Sequence, residues 1–213
     1  MTESQNRDTI LTYVADMYTL EAHIEEALDH QLNNFQDHPK ANAAVRRFHV
    51  MVRTQRDAMK AHLDSLGGST SAAIKSTVTS VLGMAAGVVN KVRPEAMSKS
   101  LRDDYAAFNL AAISYHMLYG TALMLGHQQT AQLAERHHRA YTDAIQDVNQ
   151  IILSLVAFEL KRDGHVVDER AMDRATDTMN QDWKATAPAS SATGLGSTSS
   201  TTRGDPGSST FDA

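Results

Sequence analysis

Apolar residues recur every three or four positions over long stretches of this chain, and glycine or proline separates the stretches. In the first stretch the repeating positions are Ile10, Val14, Met17, Glu21, Ile24, Leu28 and Leu32. This spacing places their side chains on one face of an α-helix. Long segments of this kind predict helices that pack together in a bundle and exclude a fold dominated by strands.

Four long helices follow from this pattern and from the residues that end it. The first should stop before Pro39, the second at Gly67, and the third at Gly126. The predicted helices cover about 9–37, 45–66, 95–125 and 128–161, with a crossover helix at 71–93. Short turns within each pair predict two antiparallel hairpins, which the crossover helix joins.

The composition changes near the C-terminus. An amphipathic segment from Asp168 to Lys184 predicts a short helix with Asp168 as its N-cap. The Ser/Thr/Gly-rich residues after it offer too little apolar surface to offset the entropy of ordering. The predicted organisation is an all-α bundle at 1–164, a C-terminal helix at 165–184 and a disordered tail at 185–213.

The charge balance argues against two classes of partner. The chain has 213 residues and a formal net charge of -5, and neither sign forms a long block, so we expect no nucleic-acid or membrane partner. The absence of cysteine excludes disulfides and thiolate metal sites. The N-terminus is polar and lacks the order of a signal peptide, so a cytoplasmic location is expected.

Several short strings occur in an order typical of one known family. They are Met17-Tyr18-Thr19-Leu20-Glu21, the run from Thr54 to Gly67, Tyr119-Gly120-Thr121, and Ala140 with Asp143. Over about residues 9–158 the chain resembles the YciE/YciF-type bacterial stress-response ferritin-like family. The resemblance implies a ferritin-like four-helix bundle, a di-metal carboxylate site that usually holds iron, and a dimer.

A di-metal site of this kind needs one Glu from each of two helices and a Glu-x-x-His from each of the others. The resemblance implies that Glu21 is the first carboxylate. Arg53, Ala112 and Tyr115 stand where other carboxylates are expected. The fourth helix contains the string Glu135-Arg136-His137-His138. Because carboxylates are missing, a normal ferroxidase centre is not expected, and no catalytic residue is assigned.

Two interpretations of the bundle interior stay open. Glu21, Gln55, Tyr115 and His137 form a polar layer, with one residue from each main helix, that either is a satisfied hydrogen-bond network or belongs to a reduced metal site. The metal ligands would be drawn from Glu21, His49, His137, His138 and Glu135, with iron or manganese as the ion. If Arg53 points inward, it would pair with Glu21 and take the place of a cation.

Two functional hypotheses follow. The first is a ferritin-like stress-response protein with a degenerate or reduced metal site in the bundle core. The alternative is a non-catalytic scaffold that forms a homodimer through the apolar helix at 95–125, with the C-terminal tail as a docking element for a protein partner. The missing carboxylates favour a protein that is not an enzyme.

Overall fold

The computed structural model describes residues 3–33, 35–69 and 97–186, and their regular structure is helical. The all-α prediction is confirmed. The helices are α1 (Glu3–Gln31), α2 (Pro39–Ser65), α3 (Met97–Met124), α4 (Gln128–Arg162) and α5 (Glu169–Thr186). Among the described residues, no helix has both the length and the apolar character that crossing a bilayer requires.

Local sequence accounts for several helix ends. Pro39 occupies the first turn of α2, where the N–H that proline lacks would have no helical partner. The Nδ1 atom of His38 accepts a hydrogen bond from the Ala41 N–H at 3.1 Å and so caps the same helix. Gly126 follows α3 with a φ of 74°, a left-handed conformation that glycine adopts without strain.

The first helix ends earlier than predicted. It stops at Gln31 and not near Asp37, because residues 35–37 form a turn. Phe35 in this turn is completely buried. Burying a phenylalanine side chain stabilises a fold by ~1.5–3 kcal/mol. An early end to α1 is therefore favourable, because the turn that follows places the Phe35 ring in the core.

The proximity of the helices to one another shows how the four long helices are arranged. Helices α1 and α2, α3 and α4, α1 and α3, and α2 and α4 are neighbours. Between α1 and α3, for example, Glu21 contacts Tyr115 while Gln31 contacts Asp104. Residue numbers run in opposite directions across each neighbouring pair, so neighbours are antiparallel. Phe48 of α2 meets Phe108 of α3 across the core, at a ring separation of 5.1 Å.

The connection between α2 and α3 joins opposite ends of the bundle, because these two helices lie diagonally and run in the same direction. It must span roughly the length of α3, whose 28 residues extend about 42 Å. The predicted crossover helix at 71–93 falls in this connection. That segment and the tail at 187–213 lie outside the described residues, so their predicted states remain predictions.

Helix α3 has two different faces. Phe108, Tyr115 and Leu118 are completely buried in the bundle. On the outer face Ile113, Met117 and Met124 are 55%, 53% and 81% exposed. These outer positions follow helical spacing, so the three apolar side chains form a stripe along one side of the helix.

Helix α5 lies beside the bundle and packs mainly against α4. The Asp168 side chain accepts a hydrogen bond from the Arg170 N–H at 3.0 Å, which caps the start of the helix as its sequence indicates. The helix continues to Thr186, slightly beyond the predicted boundary at 184. The division into a bundle domain and appendages remains a prediction.

Candidate functional site

Glu21 on α1 has a completely buried carboxyl group in the centre of the bundle. Met17 and Ile24 lie about one turn away on the same face and belong to the core. The helical period that buries these apolar residues therefore buries Glu21 as well. A carboxyl in such a place is costly unless hydrogen bonds or an opposite charge compensate it.

Two tyrosines provide that compensation. The Tyr115 hydroxyl of α3 donates to Glu21 Oε1, and the Tyr141 hydroxyl of α4 donates to Oε2, each at 2.6 Å. Both tyrosines are completely buried, and their rings stack with centroids 5.9 Å apart. The carboxyl is thus held on both oxygens by phenols from two other helices.

His137 extends the network on α4. Its Nδ1 atom lies 3.0 Å from the Tyr115 hydroxyl, and its ring meets the Tyr115 ring edge to face. Burial lowers the pKa of His137 from 6.5 to about 4, and the positive charge of Arg136 acts in the same direction. The imidazole is therefore neutral at pH 7.

Burial also decides the protonation of Glu21. It raises the pKa of Glu21 from 4.5 to about 8, although the hydrogen bonds from Tyr115 and Tyr141 act in the opposite direction. At pH 7 the carboxyl is mostly protonated. The protonated carboxyl can then donate a hydrogen bond to the Tyr115 oxygen. The Tyr115 hydroxyl turns and donates to His137 Nδ1 instead. The network accommodates both protonation states of the acid.

The remaining member of the predicted layer is Gln55 of α2, which is buried, as expected from its position on the inward stripe. Arg53 is exposed on the outside of the same helix and does not pair with Glu21. Arg56 instead forms an ion pair with Glu25, about one turn beyond Glu21 on α1. Neither arginine supplies a cation directly to the Glu21 carboxyl.

The other proposed ligands lie elsewhere. His49 lies between α2 and α1, where its Nε2 atom is 2.7 Å from Asp29 Oδ1. Glu135 is exposed and pairs with Arg139 at 3.0 Å. His138 lies in a surface cleft between α3 and α4. Of the five residues proposed from the sequence, only Glu21 and His137 share a network, and Tyr115 stands between them.

Comparison with known proteins identifies the family. A family described as "Domain of unknown function (DUF892)" matches residues 6–161, most of the chain. The chain belongs to the DUF892 family. No curated protein matches it.

The fold of this DUF892 protein is similar to that of a protein from Xanthomonas campestris pv. campestris, which is known from a crystal structure. The TM-score is 0.61, and the match covers 76% of this chain and 99% of that chain. The two sequences are 19% identical, so the likeness shows the fold alone.

The described residues of the central layer of this DUF892 protein do not supply the donor set of a di-metal carboxylate centre. Such a centre needs carboxylates or imidazoles from all four helices. The side chains hydrogen-bonded to Glu21 or to its partners are two tyrosines and His137, and α2 contributes a buried Gln55. The phenols are neutral, because burial, with the charge of Glu21, raises the pKa values of Tyr115 and Tyr141 well above 10. One carboxyl and one imidazole separated by a phenol do not fit a pair of metal ions.

Two residues in or beside this site of the DUF892 protein were absent from the sequence-based prediction. Tyr141 lies four residues after His137, and this spacing could have placed it on the same inward face. Arg56 follows the inward residue Gln55 and gave no such signal. Its pairing with Glu25 depends on the register between α1 and α2, which only the folded structure reveals.

Proposed function

We propose that this chain is a ferritin-like protein of the stress-response type whose central metal site is degenerate. A neutral network of Glu21, Tyr115, Tyr141 and His137 occupies the place where relatives would bind metal. The observation that carries the proposal is the completely buried Glu21, both of whose oxygens are hydrogen-bonded by phenols. In this proposal the protein is not a ferroxidase, and the network fixes how the helices pack.

The physical argument rests on the balance of charges. A divalent cation at Glu21 would require the carboxyl to lose its proton and at least one phenol to move away. The carboxyl keeps its proton up to about pH 8. Among the described residues, the network around Glu21 contains no second carboxylate to share the cation's charge, so the hydrogen-bonded state is favoured over a metal-bound state.

The test is a comparison of metal content. Untagged wild-type protein and Glu21→Gln would be incubated with Fe(II), Mn(II) and Zn(II), freed of loose ions and analysed for metals. We expect equal metal content, because the amide preserves the shape of the side chain and Glu21 holds no ion. Metal that is stoichiometric in the wild type and absent from Glu21→Gln would contradict the proposal and establish a working core site.

A second candidate function has its own supporting observation. The exposed apolar stripe of Ile113, Met117 and Met124 supports the scaffold hypothesis, in which α3 pairs with α3 of a second copy. The dimer would then present α5 and the residues beyond it to a protein partner. This function requires no metal, and we propose it together with the cytoplasmic location that the sequence predicts.

A further inference from the structure

We propose that Glu25, Asp29 and His49 form a binding site for a single divalent transition-metal ion on the α1–α2 face of the bundle. The site is separate from the central layer at Glu21. It would use one imidazole nitrogen and two carboxylate oxygens, and water would complete the coordination. Zn²⁺ is the ion with which the proposal is tested.

The three side chains converge because two of them share one face of α1 and the third comes from the neighbouring helix α2. Glu25 and Asp29 are four residues apart on α1 and therefore share a face. His49 comes from α2, the antiparallel partner of α1 in the hairpin. Among the described residues, these three form a group whose ligand atoms all lie within 4.8 Å of one another. Donors about 2.1 Å from one tetrahedral ion are about 3.4 Å apart, so small side-chain movements suffice.

The environment of His49 favours an ion over a simple ion pair. Its Nε2 atom is enclosed by protein and lies 2.7 Å from Asp29 Oδ1, but the contact lacks the direction of a hydrogen bond. A buried ring nitrogen without a hydrogen-bond partner is unfavourable. A metal ion would use the lone pair of this nitrogen and so remove the deficit.

The charges of the cluster also suit a cation. Glu25 is buried, while the Asp29 side chain is 56% exposed and so gives solvent access and room to reorient. In the structure Arg56 pairs with Glu25. Arg56 also contacts Asp57 at 2.7 Å, so its guanidinium keeps a partner when Glu25 turns to an ion. Arg56 is therefore a competitor that a divalent ion can displace.

The donor set defines the class of metal. An imidazole nitrogen suits Zn²⁺, Fe²⁺ and related transition metals, whereas Ca²⁺ and Mg²⁺ prefer sites made of oxygen alone. Three protein ligands leave coordination positions open to water. The expected occupant is thus one transition-metal ion, with affinity for Zn²⁺ well above that for Mg²⁺.

The experiment measures Zn²⁺ binding to the full, untagged chain by competition with a chromophoric chelator. We expect one Zn²⁺ per chain in the wild type. His49→Gln and Asp29→Asn should each weaken binding by about tenfold or more, since even losing an outer partner of a metal ligand costs that much. Arg56→Gln should strengthen binding by about twofold to fivefold, as expected for removal of a weak competing ion pair.

Matched variants make the outcome decisive. His116→Gln removes a histidine from the exposed part of α3 and should leave Zn²⁺ binding unchanged. Glu21→Gln should also leave Zn²⁺ binding unchanged, and this result would show that the ion is not held by the core residue Glu21. Circular dichroism would verify folding, and Asp29→Asn should leave the fold intact because the Asp29 side chain is 56% exposed. Zn²⁺ binding that is absent from the wild type, or that survives both His49→Gln and Asp29→Asn, would overturn the proposal.

Discussion

At the scale of single residues, burial determines which acids are charged. Burial raises the pKa of Asp104 on α3 from 3.8 to about 7, although the hydrogen bond from Gln31 Nε2, at 2.7 Å, opposes the shift. Burial shifts the pKa of Glu21 in the same direction. In the folded chain both carboxyls hold protons that the unfolded chain releases at lower pH. Proton binding therefore couples the stability of the bundle to pH.

The pH dependence of stability tests the protonation of Glu21. Its pKa is higher in the folded chain than in the unfolded chain, so its stabilising contribution is complete below pH 4.5 and is lost as the pH rises through about 8. In that window one such group changes the free energy of unfolding by on the order of 1 kcal/mol per pH unit. Glu21→Gln removes this contribution, so the variant should gain stability relative to the wild type as the pH rises from 5 to 8.

Urea unfolding at several pH values would provide the measurement. The control is Glu26→Gln, which removes an exposed carboxyl from the same helix. It should change the pH profile little. Parallel profiles for the wild type and Glu21→Gln would show that Glu21 is ionised in the folded chain across this range.

At the scale of elements, α3 is unusual because both its buried face and its exposed face carry apolar side chains. Its inner face provides Tyr115 to the central network, and its outer face exposes Ile113, Met117 and Met124. An isolated bundle gains nothing from this outer stripe, because apolar side chains in water are unfavourable. A second copy of α3 packed against it would remove the stripe from water on both chains.

A charge placed in this stripe tests the dimer. Met117→Lys should convert a wild-type dimer into a monomer, because the interface would bury an unpaired ammonium group. Helical content should be unchanged, since Met117 is 53% exposed in the single chain. Val50→Lys is the matched control, because Val50 is also an exposed apolar residue but lies on α2. Sedimentation velocity would separate the two species; a monomeric wild type, or a Met117→Lys variant that remains dimeric, would refute this interface.

At the scale of the whole molecule, the buried core of the described residues lies mainly in the four long helices. Their core is one continuous cluster of buried residues. The described side chains of α5 are half-buried or exposed, and its ion pair between Glu169 and Lys161 lies at the surface. Surface ion pairs of this kind contribute little. The fold therefore predicts that α5 is dispensable for the bundle.

Truncation after Gly164 tests this prediction. The shortened chain should unfold within about 2–4 °C of the full chain, which corresponds to a change of about 1 kcal/mol. Thermal unfolding followed by circular dichroism provides the comparison. A chain that stops after Thr186 is the control, because it keeps α5 and lacks only the residues beyond it. A much larger loss of stability on removing α5 would show that α5 belongs to the folding unit.

The sequence alone determined the elements and their inward faces. Helical periodicity and the residues at helix ends predicted four long helices, and the inward positions of Glu21, Gln55, Tyr115 and His137 agree with their burial in the structure. Such predictions succeed because spacing along one helix is local and follows from its 3.6-residue turn.

Only the tertiary structure decided which side chains meet. The second phenol on Glu21 comes from Tyr141, the cation near α1 is Arg56 and not Arg53, and His49 reaches Asp29. Each contact joins two helices, so it depends on the rotation and height of one helix relative to another. The packing of the whole core sets these two quantities, and no pattern within a single helix contains them.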